Sequence, residues 1–160
     1  MPVVEIDEID QKIVDLLIED GRYSASEIAR AMGDISERVV RYRMERLIRE
    51  GVIKIGAIVN PVALGYAVLA DVFLEVESGG IDEVARQALA YDCVTYVACS
   101  IGESDVSVQI VGRDNEQIYM FVTEVLGKLP KVRRTVTSIV PIKLKDVYEW
   151  RIPDQSVTRR

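Results

Sequence analysis

Apolar residues in the first third of the chain recur with helical spacing. Over residues 6–20 they stand at i, i+4, i+7 and i+8, which predicts an amphipathic helix with one apolar face. Ser24 and Glu27 form the Ser-x-x-Glu pattern of a capping box, which predicts a shorter second helix. A third helix is predicted after Ser36, a suitable N-cap, and it repeats the spacing of the first with Val40, Met44, Leu47 and Ile48.

The connections between these helices complete a recognisable motif. A short turn that begins at Gly33 separates the second and third helices, and a two-stranded ribbon is predicted over 52–61, ending at Pro61. Three helices, a tight Gly-containing turn and a hairpin describe a winged helix-turn-helix. We therefore assign residues 1–61 to a domain of this kind.

The rest of the chain alternates strands and helices in a repeated order. Alternating polarity predicts four strands, and helical spacing predicts two helices; in chain order these elements cover 66–77, 81–91, 94–101, 104–111, 114–128 and 132–141. The β-α-β-β-α-β order is that of a ferredoxin-like antiparallel sheet with both helices on one face. The predicted fold class is α+β, with 62–160 as the second domain.

Two features of this second domain point to further contacts. The side of the sheet away from the helices mixes apolar with polar positions, and a second copy of the chain would bury it most simply, so we expect a homodimer. The tail over 143–160 lies beyond the last predicted strand. We expect it either to add a strand to a neighbour or to fray.

Composition excludes several classes of function. The chain has 160 residues, no His and two Cys, so catalytic and zinc sites that depend on imidazole are excluded. Cys93 and Cys99 fit neither a redox pair nor a metal knuckle, and we expect two buried thiols and no metal. No run of about 18 apolar residues occurs and the first residues are acidic, so we expect a cytoplasmic protein with no membrane partner.

Charge is distributed unevenly along the chain. The net charge of −6 disfavours binding to nucleic acid, but residues 36–54 hold six basic and three acidic residues, whereas residues 1–20 hold seven acidic residues and one basic. Arg38 and Arg41 are predicted to point away from the apolar stripe of the third helix, near its N-terminus. A recognition helix contacts base edges with that region, and the planar guanidinium suits guanine.

Other interpretations of the same charges stay open. The third helix could instead carry a solvated face of i, i+4 pairs, such as Glu37 with Arg41 and Glu45 with Arg49. Arg43 lies at the edge of the buried stripe, where a salt bridge to the acidic first helix competes with a phosphate contact. Lys54 in the predicted ribbon reaches a phosphate or nothing.

The ordered motifs resemble those of the Lrp/AsnC family of transcriptional regulators. Residues 6–13 are similar to the family's first-helix pattern LDxxDxxIL, and Gly21-Arg22-Tyr23-Ser24 matches its dGRxS turn. The similarity runs from residue 6 to residue 142 through further motifs at 35–53, 60–65, 102–105 and 129–137. The resemblance implies a dimer, or an assembly up to an octamer, that binds pseudo-palindromic double-stranded DNA through paired winged helices.

The resemblance also implies the residues of two sites. The DNA-binding set comprises Ser36, Glu37, Arg38, Arg41, Tyr42, Arg43 and Lys54. A second site, usually for an amino-acid effector at a subunit interface, is implied at Gly102, Glu103, Ser104, Asp105, Thr135 and Thr137. Asp105 suits an α-ammonium group and Gly102 allows close backbone approach, but Ser104 replaces the family's usual Tyr or Trp. The alternative for 102–105 is an ordinary hairpin turn.

The sequence therefore predicts a sequence-specific transcriptional regulator modulated by a small-molecule effector. The alternative is an architectural DNA-wrapping protein that responds to no effector. An enzyme is not expected, because relatives of this fold that decarboxylate haem precursors depend on His, and this chain has none.

Overall fold

The computed structural model describes residues 3–158, which form two compact units. The first unit contains the chain up to Ile58 together with the tail from Leu144, and the second runs from Val59 to Lys143. In chain order the elements are β1 (Ile6–Asp7), α1 (Glu8–Glu19), α2 (Ala25–Met32), α3 (Glu37–Arg49), β2 (Val68–Val76), α4 (Ile81–Ala88), β3 (Val94–Cys99), β4 (Val106–Gly112), α5 (Asn115–Glu124), β5 (Val132–Ile139) and β6 (Val157–Thr158).

Side-chain caps fix where the three helices of the first unit begin. The Asp7 carboxylate accepts the main-chain N–H groups of Ile9 and Asp10, both at 3.0 Å, and starts α1. The capping box predicted at Ser24 and Glu27 is confirmed. The predicted Ser36 cap of α3 is also confirmed, because its hydroxyl accepts the Val39 N–H at 3.4 Å.

Two apolar clusters hold the three helices together. Ile13, Ile28 and Val40 are fully buried and join α1, α2 and α3 in one cluster. The second cluster centres on the fully buried Leu47 of α3 and includes Ile6, Val14 and, from the tail, Ile152. The tight turn from Gly33 to Ser36 places α2 and α3 in the predicted helix-turn-helix arrangement.

The ribbon predicted over 52–61 is wrong, because these residues form no strands. Only Val52 and Ile53 at its start pack against the second cluster, and every residue from Lys54 to Asn60 is exposed. A short hairpin that buries no apolar face is marginal in water. The first unit instead contains a parallel pair between β1 and β6, so the tail supplies the strand.

The second unit has the predicted ferredoxin-like topology. Its four strands are antiparallel in the order β3-β4-β2-β5, and α4 and α5 pack against one face. Cross-strand register places Leu74 between Val106 and Thr135. The core is aliphatic, with fully buried Ala70, Val72, Leu74, Val84, Ala88, Val106, Ile110 and Leu126.

Several predicted boundaries and one burial prediction differ from the structure. The helix predicted over 81–91 ends at Ala88, and Leu89, counted in its apolar face, is 64% exposed. The helix predicted over 114–128 ends at Glu124 and continues only as a 3-10 turn. The two thiols are not buried as expected, since Cys93 is half-buried and Cys99 is exposed.

Candidate functional site

One side of α3 is anchored in the core and the opposite side is exposed. Val40 and Leu47 are fully buried, whereas exposed Arg38, Tyr42 and Arg49 follow one another at i, i+4 and i+11. Helical geometry puts these three side chains on one stripe. The stripe faces away from the other helices of the unit.

The N-terminal end of α3 carries four of the predicted DNA-binding residues. Ser36 caps the helix, and Glu37, Arg38 and Arg41 are exposed in its first turns. The predicted ion pair between Glu37 and Arg41 is confirmed. It engages one of the two terminal guanidinium nitrogens of Arg41, and the group has five N–H donors, so donors remain for a ligand.

Arg43 points the other way, toward α1. Its Nη1 donates to both carboxylate oxygens of Asp7 at 2.7 Å and to Asp10 Oδ1 at 2.9 Å, and the side chain is only 19% exposed. Of the two roles predicted for Arg43, the salt bridge to the acidic first helix is confirmed. A guanidinium held by two carboxylates inside the unit is poorly placed to contact DNA.

A second arginine of α3 completes this network. Arg46 Nη2 donates to Asp10 Oδ2 at 2.6 Å, so the Asp10 carboxylate, 1% exposed, lies between Arg43 and Arg46. Sequence analysis missed Arg46. The available signal was the matched i, i+3 spacing of Asp7 and Asp10 at the start of α1 and of Arg43 and Arg46 on α3.

Asp7 and Arg43 of this network are charged over the whole physiological pH range. Burial alone would raise the pKa of Asp7, but the Asp10 N–H and the Arg43 guanidinium outweigh it and hold that pKa below its usual value. Burial would likewise lower the pKa of Arg43, but hydrogen bonds to Asp7 and Asp10 raise it above its usual value. Asp7 and Arg43 therefore stay ionised together.

Lys54, the last predicted DNA-binding residue, lies in the exposed segment that follows α3. Its main chain belongs to no strand, because the predicted ribbon does not form. The side chain extends from the same unit as the α3 stripe. It belongs to neither apolar cluster of that unit.

The predicted effector residues divide into a turn and a strand. Gly102 and Glu103 are exposed in the turn between β3 and β4, where Gly102 has a φ of +146°, a value that favours glycine. Asp105 Oδ2 accepts the Val76 N–H at 2.7 Å, and the Asp105 N–H donates to Leu74 O at 2.9 Å. Asp105 therefore ties this turn to the end of β2.

Thr135 and Thr137 lie on the edge strand β5. They stand opposite Leu74 and Val72, whose buried side chains face the helices, so the threonine side chains share that face. Thr135 occupies the same row as Leu74, at the end of the sheet that Asp105 joins. Thr137 lies two residues farther along β5 from the 102–105 turn. Thr135 is therefore nearer to that turn than Thr137.

A groove of about 320 Å³ elsewhere in the second unit is separate from these residues. It lies beside α5 and is lined mainly by apolar side chains, among them Met120 and Phe121, with Cys93 at its edge. None of the six predicted effector residues lines it. Within residues 3–158, no three Cys, Asp or Glu side chains are grouped so as to hold a metal ion.

Comparison with known proteins assigns both units. Residues 6–54 match a winged helix-turn-helix DNA-binding family, and residues 69–149 match the Lrp/AsnC ligand binding domain. The chain belongs to the Lrp/AsnC family of transcriptional regulators. It is a DNA-binding regulator with a ligand-binding domain, as the sequence predicted.

Individual Lrp/AsnC relatives cover nearly the whole chain. An HTH-type transcriptional regulator of Pyrococcus abyssi, FL11, is 37% identical over 93% of this chain and 98% of its own. Escherichia coli AsnC has the same fold at 21% identity, with a TM-score of 0.81 over 91% of this chain and 99% of that one. A regulator of Neisseria meningitidis, solved as a complex with L-methionine, has a TM-score of 0.80 at 22% identity over 88% and 93%.

No helix in the described part of this Lrp/AsnC chain is long and apolar enough to cross a membrane.

The α1–α3 network predicts a pH-dependent loss of stability for Asp7→Asn. The amide keeps the oxygen that caps α1 but loses the charge that Arg43 faces, so at pH 7 the free energy of unfolding should fall by about 1–3 kcal/mol. The pKa of Asp7 is lower in the folded than in the unfolded protein. The stabilisation by its charge is therefore complete above the unfolded pKa of about 3.9 and is lost as pH falls through the folded pKa.

Urea denaturation followed by Trp150 fluorescence measures this difference, because Trp150 lies in the first unit. The difference in the free energy of unfolding between wild type and the variant should disappear at acidic pH. Asp34→Asn, the same change at an exposed turn residue, is the control and should match wild type at every pH. If the difference in the free energy of unfolding stayed constant down to strongly acidic pH, a role for the Asp7 charge would be contradicted.

Proposed function

We propose that this regulator recognises specific double-stranded DNA through the exposed side of α3. The observation that carries the proposal is the division of arginines along that helix. Arg43 and Arg46 are bound to Asp10 inside the unit, whereas Arg38 and Arg41 are exposed near the helix N-terminus. A recognition helix reads base edges in the major groove with its N-terminal residues.

Each exposed side chain supplies a contact of known type. Arg38 and Arg41 present planar donors that match guanine O6 and N7, and the Glu37 carboxylate suits the amino group of cytosine. Ser36 keeps its hydroxyl proton for a phosphate oxygen while it caps α3. Tyr42 and Lys54 are exposed donors suited to the phosphate backbone.

The internal ion pairs also reduce the electrostatic cost of an acidic chain near DNA. Asp7 and Asp10 face Arg43 and Arg46, so the carboxylates most buried in the first unit are compensated. Among the described residues, Arg38 and Lys54 are exposed and form no ion pair, and Arg41 and Arg49 pair only with exposed glutamates. The net charge of −6 therefore does not describe the surface that would meet phosphate.

Arg41→Ala tests whether α3 reads bases. On a fragment from upstream of its own gene, loss of a bidentate guanine contact should weaken binding by about 1–3 kcal/mol, and binding to a scrambled fragment should change little. Fluorescence anisotropy at two salt concentrations measures both affinities.

The matched control is Arg86→Ala. Arg86 forms the same kind of exposed i, i+4 pair, with Asp82 on α4 of the second unit. Its substitution by Ala removes the same charge as Arg41→Ala. It should leave both affinities near wild type. Equal losses on the two fragments for Arg41→Ala would reject base reading and leave only a phosphate contact.

We also propose that the open face of the sheet is buried by a second copy of the chain. One row across this face contains Ala98, Ser107, Phe73 and Val136. Phe73 is 36% and Val136 42% exposed. Bonded polar pairs, Gln109–Asp71 at 2.9 Å and Arg134–Glu75 at 3.0 Å, lie on either side of the row. An apolar row with a polar border resembles the layout of a protein interface.

Val136→Lys tests this interface. A charge in the apolar row should convert a dimer into a monomer at micromolar concentration, measured by light scattering, and the fold should persist because Val136 is exposed within the chain. Leu89→Lys places the same charge at an exposed leucine on the helix layer and should leave the mass unchanged. A monomeric wild type at micromolar concentration would overturn the proposal.

The effector proposed for the second unit is an amino acid held by the 102–105 turn with Thr135 and Thr137. Support comes from the match of 69–149 to a ligand-binding domain and from the L-methionine complex of the Neisseria protein. Asp105 and Glu103 would face the α-ammonium group, and the threonine hydroxyls would donate to the carboxylate. Ser104 offers a hydroxyl where the family usually has an aromatic ring, so we expect a polar side chain.

Calorimetry against the twenty amino acids tests this site, with Asp105→Asn as the decisive variant. The amide retains an oxygen that can accept the Val76 N–H, so the fold should persist, but the charge for an ammonium group is lost. Binding should fall at least tenfold in the variant. Heat from none of the twenty would favour an ordinary turn and an architectural protein without an effector.

A further inference from the structure

The part of the tail that docks on the DNA-binding unit lies outside both family matches. Those matches span 6–54 and 69–149, and the docked segment begins at Arg151. We propose that residues 151–158 form a strap that holds α1 and thereby positions the recognition helix α3. The strap's effect on DNA rests on the function proposed above.

Polar contacts anchor the strap along α1. Arg151 Nη1 lies 2.8 Å from Asp15 Oδ1, and its Nη2 lies 3.7 Å from Glu19 Oε1. One turn nearer the N-terminus, Gln11 Nε2 donates to Ile152 O at 3.0 Å and to Asp154 Oδ1 at 2.9 Å. Three side chains on one face of α1 therefore hold consecutive parts of the strap.

Main-chain pairing and apolar packing complete the docking. Val157 and Thr158 pair in parallel with Ile6 and Asp7. Ile152 packs in the cluster that contains the fully buried Leu47 of α3. Polar, apolar and main-chain contacts thus occur from Arg151 to Thr158. The segment is docked and does not fray.

Two routes lead from the strap to the recognition helix. The first is polar: Thr158 pairs with Asp7, and the Asp7 carboxylate accepts hydrogen bonds from Arg43 of α3. The second is apolar, through the shared contact of Ile152 and Leu47 with one cluster. Strap residues therefore act on α3 without touching DNA, and Arg151 is a positioning residue.

Opposite charges meet at the start of the strap. Residues 1–20 hold seven acidic residues and one basic, and Arg151 of the strap faces two of those acids, Asp15 and Glu19. The chain also crosses between its units twice, after Ile58 and after Lys143. The strap is the end of the second crossing, so the ligand-binding unit has two covalent connections to the unit that carries α3.

A charge-exchange cycle on the full chain tests the strap. Arg151→Glu and Asp15→Arg each place like charges together, and they change net charge in opposite directions. Each should lower the ratio of specific to scrambled DNA affinity about 3- to 10-fold, and the double variant should restore most of that ratio. Arg151→Lys keeps the charge and should stay near wild type.

Two controls separate positioning from loss of folded protein. Arg86→Glu makes the same charge change on α4 and should leave the ratio unchanged. Titration at protein concentrations far above Kd measures the fraction of protein that is active in DNA binding. A positioning defect leaves that fraction at one site per assembly, whereas partial unfolding lowers it. Hydrogen exchange should show faster opening of β6 amides in both single variants and recovery in the double variant.

Unchanged affinity ratios in both single variants, or a double variant no better than the worse single, would overturn the strap proposal. Wild-type protein that does not distinguish the two fragments would instead contradict the proposed function. In that event hydrogen exchange still decides the docking, and wild-type protection of the β6 amides in Arg151→Glu would overturn it.

Discussion

The buried carboxylate of Asp10 is the constraint on which the DNA-binding unit depends. It is almost completely removed from water, and two arginines of α3 compensate it at 2.9 and 2.6 Å. A buried charge without partners would cost several kcal/mol, so the arrangement is stable only when α3 presents Arg43 and Arg46 at one place on α1. Apolar contacts such as Val40 with Ile28 tolerate small rotations of a helix, but this pairing fixes the rotation of α3 about its axis.

Fixing that rotation determines which side chains remain for DNA. With Arg43 and Arg46 turned inward, the stripe of Arg38 and Tyr42 must face outward. The acidic composition of α1, which would disfavour DNA as a surface property, serves in part to hold the helix that approaches DNA. Total charge and the charge at a binding surface are thus set by different residues in this chain.

Local patterns made most of the architecture predictable. The caps at Ser24 and Ser36 depend on neighbours within a few residues, and so does the alternating polarity of the strands. Such local features are visible in the spacing of residues along the sequence. The failures involve long-range or missing partners. The apolar run after Gly51 looked like a ribbon but has nothing to bury it, and β6 has two residues that pair with β1 some 150 positions away. Arg46 was missed because its partner Asp10 belongs to another helix.

The same long-range contacts limit how a ligand could regulate DNA binding. A ligand shifts an equilibrium only if it binds two states with different affinity, and the states must differ at α3 or in the spacing of paired α3 helices. Within one chain, the segment after Ile58 and the tail after Lys143 connect the second unit to the unit that carries α3. The first segment leads into exposed residues from Lys54 onward. Val52 and Ile53 before it reach Leu47's cluster, and the tail reaches the same cluster through Ile152 and also pairs with Asp7, so the tail adds a contact with the network that fixes α3.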